Sequence, residues 1–368
     1  MNIFFDYQTF SLQTFGGISR YYAELIKGIN ETRNNNAYLP LLFSNNVHLQ
    51  ESGLGVRQMM PNKDFYKKIQ IIYRSNQLYT IAKLYQKQFD IFHATYYDPY
   101  FIPHLKGRPF VVTFLDMIHE KFVAKFPGLD DGGVIFKQKK IIAGKADKII
   151  AISESTKRDV VSLLEVDPDK VKVIYLGSSL KPSRIETIDE QLALEPYLLF
   201  VGRRERYKNF DGLLSAVYPL LKKYKLKLLC AGGGQFTNEE RFFINSLGAS
   251  SFVQQCSIDD QKLQQLYQGA VAFVFPSMYE GFGIPVLEAF ACGCPCIVSN
   301  NSSLPEVAGK AAIYIDPLLP ETIVSAVEKV ITDTYLRQEM IDKGYEQLSL
   351  FSWENTVSDT LDLYRAIA

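Results

Sequence analysis

Short apolar runs of strand length alternate with stretches of helical period from one end of the chain to the other. That alternation predicts parallel sheets covered by helices on both faces, an α/β protein. The first stretch reads as a strand NIFFDYQ, a loop TFSLQTFGG and a helix ISRYYAELIKGI, in which Ile18, Tyr22, Leu25, Ile26 and Ile29 share one face. Further strands are predicted at DIFHAT from Asp90, PFVVTFLD from Pro109, ADKIIAIS from Ala146 and KVKVIYLG from Lys170. After the polar, aperiodic SSLKPSRIETIDEQLALE a second series begins: YLLFVG from Tyr197, LKLLCAGGG from Leu226, SFVQQCS from Ser251, VAFVFPS from Val271, PCIVS from Pro295 and AAIYID from Ala311. The pattern predicts two doubly wound domains, 1–178 and 196–354, with a linker over 179–195. A last helix, over 355–368, has Val357, Thr360, Leu361 and Tyr364 at helical spacing and could pack on either domain; packing back on the first is the assignment made.

A length of 368 residues fits two cores at roughly 150 residues per domain. Forty basic and forty acidic residues balance to zero, which points away from a nucleic-acid partner while leaving local patches open. The N-terminus MNIFFDYQTF has no basic leader, and no run of about eighteen apolar residues occurs, so a cytoplasmic protein is expected. Three of the five cysteines, Cys292, Cys294 and Cys296, crowd into ACGCPC. Zinc normally takes four ligands and no CxxC or histidine partner lies nearby, so they read as small buried hydrophobes in a reduced compartment, and no metal is expected. The Asp167-Pro168-Asp169 triplet reads as a turn. Between Lys63 and Gln88 run Lys63, Lys67, Lys68, Arg74, Lys83 and Lys87 with interleaved aromatics and only Asp64 opposing them. This segment is either a solvated amphipathic helix or, as a second reading, a face for an anionic acceptor or for lipid headgroups in a peripheral contact with the inner membrane face.

The chemistry concentrates in two loops of the second series. In PSMYEGFGIPVLEA, Glu280 falls in the loop after a buried strand and Glu288 about one turn into a helix that begins near Pro285. Both then sit at the mouth of an open sheet, where such folds bind ligands, and the glycines let backbone amides approach an anion. A hydrolase would need both carboxylates to flank one glycosidic bond. One in the loop and one on the helix suit two hydroxyl pairs on separate parts of a long ligand instead, either two sugars or a sugar and a ribose. In LLFVGRRERYKNF, the strand ends at Gly202, and Arg203, Arg204, Arg206 and Lys208 precede a helix that Asn209 can cap, an anion cradle in the making. FGGISRYY sets Gly16 and Gly17 at the start of a helix in the first domain.

PSMYEGFGIPVLEAFACGCPCIVSNNSSLPEVAG resembles the paired-glutamate signature of the retaining GT-B glycosyltransferases of family four, and VGRRERYKN resembles its companion basic motif. GGISRYYAEL, IIAISESTKRDVV and FSWENTVSDTLDLY extend the likeness over nearly the whole chain, and GGISRY with IFHATYYDPYF is most similar to the mannosyltransferase-like branch. The resemblance implies two Rossmann-like domains facing across a cleft, the first binding the acceptor and the second a nucleotide diphosphate sugar. It implies that Glu288 binds the ribose, that Glu280 with the amides of Gly281, Phe282 and Gly283 holds the transferred sugar, and that Arg203 and Lys208 neutralise the diphosphate. Lys208, Arg203 and Glu280 are thus the catalytic candidates, and Gly16, Gly17 and Gly202 join the donor-binding set. It further implies no metal and no cofactor, retention by front-face attack, and a glycan or lipid-linked acceptor in polysaccharide assembly. The chain departs from the family at Thr113-Phe114-Leu115-Asp116, where a histidine is usual in place of Leu115. His93 and His119 remain as candidate imidazoles beside Asp116, and an apolar Leu115 implies a donor lacking a 6-hydroxyl. Two rival expectations follow from the departure and the fold: a catalytically weak nucleotide-sugar binder, and a GT-B-shaped sugar-nucleotide epimerase.

Overall fold

The computed structural model describes residues 1–59, 67–180, 182, 195–204 and 206–368. The predicted linker, apart from 179, 180, 182 and 195, and the start of the 63–88 segment lie outside the described residues. Two compact units emerge, one of residues 1–176 and 353–368 and the other of residues 177–352.

The first unit is built on a six-stranded parallel sheet. Its strands are β1 (Asn2–Phe5), β2 (Asn36–Tyr38), β3 (Ile91–Ala94), β4 (Phe110–Phe114), β5 (Lys148–Ala151) and β6 (Val171–Val173), in the order β2-β1-β3-β4-β5-β6. The second unit repeats the plan with β7 (Tyr197–Val201), β8 (Lys227–Ala231), β9 (Val253–Cys256), β10 (Ala272–Phe275), β11 (Cys296–Ser299) and β12 (Ala312–Ile315), in the order β12-β11-β10-β7-β8-β9. Helices cover both faces of such sheets, so the central strands β3, β4, β7, β10 and β11 are buried along their whole length and are mostly apolar, with only His93, Thr113 and Ser299 as polar members. In each unit the chain leaves the first strand in one direction and returns on its other side. The strand order therefore reverses between β1 and β3 and between β7 and β10, where Leu198 pairs with Ala272 and Leu199 with Phe273. Ligand crevices of doubly wound sheets open at the carboxyl ends of such strand pairs.

The C-terminal helix Trp353–Arg365 belongs to the first unit. It lies against the helix Gly17–Glu31, where Gly28 leaves room for Val357: a Cβ on Gly28 would stand 2.5 Å from Val357 Cγ2. Thr356 donates to the Tyr175 carbonyl at 2.7 Å, and Tyr364 meets His93 beneath it.

Three elements differ from the pattern reading. A short helix, Gln8–Leu12, replaces part of the expected loop, because Gln8 is buried and bonds Asp6 at 2.6 Å and the Asp98 carbonyl at 3.1 Å. The edge strand β2, NAY, is too short and polar to stand out in the sequence. The helix Lys68–Gln86 is not amphipathic in the expected sense. Its inward face carries Asn76 between Ile72 and Leu84, and Asn76 accepts from the amides of Leu42 and Phe43 while donating to Ser11 and to the Phe43 carbonyl. Its outward face leaves Ile69, Ile71, Leu78 and Tyr85 exposed. No helix among the described residues is long and apolar enough to cross a membrane. Asp167 accepts from the Asp169 amide at 2.9 Å, the geometry of a turn.

Candidate active site

Two loops leave the sheet of the second unit where its strand order reverses. After β7 the chain runs from Gly202 into a 3-10 turn, Arg206–Lys208; after β10 it runs through Pro276 to Gly283. The Met278 amide donates to the Tyr207 carbonyl at 2.7 Å, which joins the two loops. Beside that bond the Lys208 ammonium stands 2.5 Å from Glu280 Oε1, with the side chains 17 % and 12 % exposed. The rings of Phe275 and Tyr207 lie 5.2 and 5.3 Å from the same ammonium, so aromatic faces add to its attraction and exclude part of its water. A half-desolvated cation held beside a strand end suits an incoming phosphate, since few solvent molecules need to be stripped from it.

The turn that carries Glu280 is fixed from β11. Ser302 accepts from the Glu280 amide at 3.0 Å, and the Ser303 hydroxyl lies 2.9 Å from the Glu280 carbonyl and 2.8 Å from that of Phe282. These serines were not singled out in the sequence; the polar run NNSSLP straight after an apolar strand was the available signal. Gly283 has φ +107°, and a Cβ there would stand 2.8 Å from Leu304, so only glycine makes this corner. The helix Ile284–Ala291 follows, with proline in its first turn. Glu288 on that helix is only 6 % exposed and accepts from the Tyr267 hydroxyl at 3.3 Å. Burial pushes the Tyr267 hydroxyl, and the thiols of Cys292, Cys294 and Cys296 behind it, above their usual ranges. Around the same turn Ser277 Oγ and Asn301 Oδ1 are buried oxygens without a partner among the described residues.

The basic loop divides its cations. Arg204 does not belong to an anion cradle: it bonds Glu240 at 2.9 Å and reaches the carbonyls of Gly232, Gly234 and Gln235, closing the loop after β8, with Phe236 stacked on it. Arg203 and Arg206, in the same loop as Lys208, stay exposed. Asn209 occupies the first cap position of the helix Phe210–Tyr224 but does not cap it through its side chain. It has φ +57°, and its amide donates to the Pro317 carbonyl at 2.7 Å instead. Among the described residues no group of three His, Cys, Asp or Glu could hold a metal ion.

The remaining candidates belong to the first unit. Gly16 precedes the helix Gly17–Glu31, at whose start the Ser19 hydroxyl donates to the Gly16 carbonyl at 3.0 Å. His93 is not an accessible imidazole. It is fully buried, with Nδ1 2.5 Å from the Tyr364 hydroxyl and Nε2 2.9 Å from Thr113 Oγ1, and burial lowers its pKa to about 3. It pins the C-terminal helix to the sheet. Leu115 is 8 % exposed just past β4, followed by Asp116, which accepts from the Ile118 amide at 3.1 Å. His119 lies on the next turn, with Nδ1 3.0 Å from the Leu129 carbonyl.

Residues 184–347 match the family described as glycosyl transferases group 1, and residues 15–181 match glycosyltransferase family 4. The chain is 28 % identical over 287 residues to O-antigen chain mannosyltransferase B of Escherichia coli, covering 74 % of each chain. Among solved structures, a sucrose-phosphate synthase from Thermosynechococcus elongatus aligns with a TM-score of 0.80 at 19 % identity, covering 99 % of this chain and 98 % of that one. The Anabaena HepE protein in complex with UDP and glucose aligns with a TM-score of 0.76 at 16 % identity, covering 98 % of both chains. Both neighbours share the GT-B fold seen in the two sheets.

Proposed function

Because this chain belongs to the family-four glycosyltransferases of GT-B fold, in their mannosyltransferase-like branch, we propose that it moves a sugar from a nucleotide diphosphate sugar to a glycan or lipid-linked acceptor in polysaccharide assembly, with retention and without a metal ion. The observation that carries this reading is the meeting of Lys208 with Glu280 at the strand reversal of the second unit. In this scheme the donor diphosphate draws Lys208 and Arg203 onto its oxygens, which frees the Glu280 carboxylate to accept hydroxyls of the transferred sugar. The amides of the 281–283 turn support that sugar, and Glu288 accepts from the ribose diol. The C1–O bond to the diphosphate then breaks, its electron pair passing to a phosphate oxygen that Lys208 stabilises. The acceptor oxygen bonds C1 from the same face and gives its proton to a donor phosphate oxygen. Cations already in place perform the work of a divalent ion. The names of the Escherichia coli relative and of the Anabaena complex support mannose or another hexose on a nucleotide, in place of the donor without a 6-hydroxyl expected from Leu115, and an O-antigen-like glycan as the product.

Membrane contact belongs to the same reading. The exposed Ile69, Ile71, Leu78 and Tyr85 share a helix with Arg74 and Lys83, and no acidic residue occurs from Phe65 to Phe89, a composition suited to anionic headgroups.

The test incubates the full chain with GDP-mannose or UDP-glucose and a mannoside acceptor, with and without EDTA, and reads the product anomer by proton NMR. Transfer that survives the chelator and keeps the donor's anomeric configuration is expected. Donor consumption with inverted product, or activity restored only by magnesium or manganese, would overturn the scheme.

A further inference from the structure

In the first unit a cavity of 320 Å³ lies between the segment 119–136 and Leu163. Small-molecule sites begin at about this size. Val123, Leu129, Phe136 and Leu163 give it apolar walls, and Phe136 is 37 % exposed at its rim. Glu120 also lines it, with a side chain only 4 % exposed. Its Oε2 accepts from Lys139 at 3.0 Å, while its Oε1 is buried with no hydrogen-bond partner among the described residues. Lys139 is otherwise engaged: it donates to the Asp116 carbonyl at 3.0 Å and lies 4.9 Å from the centre of the Tyr97 ring. A carboxylate oxygen left without a donor in such a place is costly, so it favours a ligand that supplies one.

His119 adds a second acceptor. A carbonyl only accepts, so the 3.0 Å contact with Leu129 fixes the proton on Nδ1 and leaves Nε2 as a lone pair in the neutral ring. Asp130 and Asp131, which also line the cavity, accept from the amides of Gly132, Gly133 and Ile135. Their negative charge disfavours phosphate or carboxylate ligands. The cavity is thus lined both by hydrogen-bond acceptors and by apolar, partly aromatic side chains. A pyranose ring matches both, since its hydroxyls donate at the edge while its C–H face packs on an aromatic ring.

We propose that this cavity binds a pyranose residue of the acceptor glycan, with hydroxyls donated to Glu120 Oε1 and His119 Nε2 and the ring face on Phe136. The assignment rests on the glycosyltransferase reading for the identity of the glycan, but not for the binding itself.

The test is titration of the full chain with the methyl α-pyranosides of mannose, glucose, galactose and rhamnose, read by saturation-transfer NMR, for the parent, Phe136→Ala and Glu120→Gln. At least one glycoside should bind the parent, and each substitution should weaken it about tenfold. The urea-unfolding midpoint followed by Trp353 fluorescence, which reports the first unit, serves as the folding control and should stay close to that of the parent. Phe136 is at the rim, so its removal leaves the core intact should Glu120→Gln disturb the Lys139 pair. No glycoside bound by the parent, or equal binding by the parent and Phe136→Ala, overturns the proposal. Loss of glycoside binding in the variants, with no transfer from any nucleotide sugar by the parent, would keep the pocket and sink the transferase scheme. Transfer with an unaltered acceptor KM and unaltered glycoside binding in both variants would do the reverse.

Discussion

At the scale of single residues, Lys208 and Glu288 divide the donor between them in the proposed scheme, and they should fail differently. Developing charge on the leaving diphosphate needs Lys208 most in the transition state. Lys208→Ala should therefore lower kcat about 100-fold to 1,000-fold while changing nucleotide Kd by less than about tenfold. Equal losses in both would reduce it to a binding residue. Glu288→Ala removes an acceptor that already sits at Tyr267, and calorimetry should show nucleotide affinity lower by about 1.5 to 3 kcal/mol; unchanged affinity removes it from the ribose role. His93 acts on stability. Its pKa is lowered to about 3 in the fold from 6.5, so between those values the unfolded chain binds the proton and the folded chain does not. The full stability is present above pH 6.5 and is lost as pH falls towards 3, on the order of 4 kcal/mol. The single tryptophan, Trp353, belongs to the first unit, so its fluorescence in urea reports that unit. From pH 6.5 to 4.5 the parent should lose about 2 to 3 kcal/mol more than His93→Gln. Parallel pH profiles for the two proteins would show that this imidazole does not set the acid limit.

At the scale of elements, the loop after β8 shows how a motif supports its neighbour. Arg204 spans Gly232 to Gln235, and Gly233, at φ +69°, has no room for a side chain: a Cβ would stand 2.5 Å from the Gly202 carbonyl oxygen and 3.0 Å from Arg203 Cα. Gly234, at φ +76°, has nothing within 4 Å. Gly234→Ala should therefore cost only the strain of the left-handed backbone, about 1 kcal/mol. Gly233→Ala should cost clearly more and weaken nucleotide binding by pushing the Gly202–Arg203 backbone. Equal melting temperatures and equal nucleotide affinities for the two variants would remove the loop from the site. All strands but β2 were legible, the central ones because parallel strands covered on both faces must be largely apolar, as YLLFV and VAFVF are. The Glu280 turn was legible because glycines and a proline at fixed places mark a strand-to-helix corner. Arg204 was not, since four neighbouring cations look alike in sequence and only the packed β8 loop separates the one that staples from those that face solvent. Asn209 misled for a related reason: a good capping residue was drawn to a carbonyl 108 residues away. The helix Lys68–Gln86 blurred the usual pattern because Asn76 bonds a passing backbone segment, which puts an amide side chain inside beside Ile72 and Leu84 while Ile69 and Ile71 stay outside.

At the scale of the whole molecule, the chain completes its first unit only after it has built its second. Residues 353–368 return to join residues 1–176. The contacts they make are specific: Val357 over the bare Cα of Gly28, Thr356 on the Tyr175 carbonyl, Trp353 at 6.3 Å from Tyr21, and Tyr364 on His93. Val357, Leu361, Leu363 and Tyr364 are all buried, so removing the helix exposes apolar surface and leaves the His93 imidazole short of one partner inside the core. Burial of four such side chains is worth several kcal/mol, a large share of the stability of a domain. The second unit has its own sheet and its own apolar core around Leu198, Phe200, Leu213 and Val274, with no contribution from the last helix. Truncation after Ser352 should therefore separate the two halves. Hydrogen exchange read by mass spectrometry should show protection lost across β1, β3 and the helix Gly17–Glu31 and kept across β7, β10 and the helix Ile284–Ala291. Nucleotide binding, placed by the proposed scheme in the second unit, should survive in the truncated chain within about tenfold, while transfer should be abolished. Uniform loss of protection in both units would mean that they fold as one cooperative body, and retained protection in the first would mean that its sheet does not depend on the returning helix.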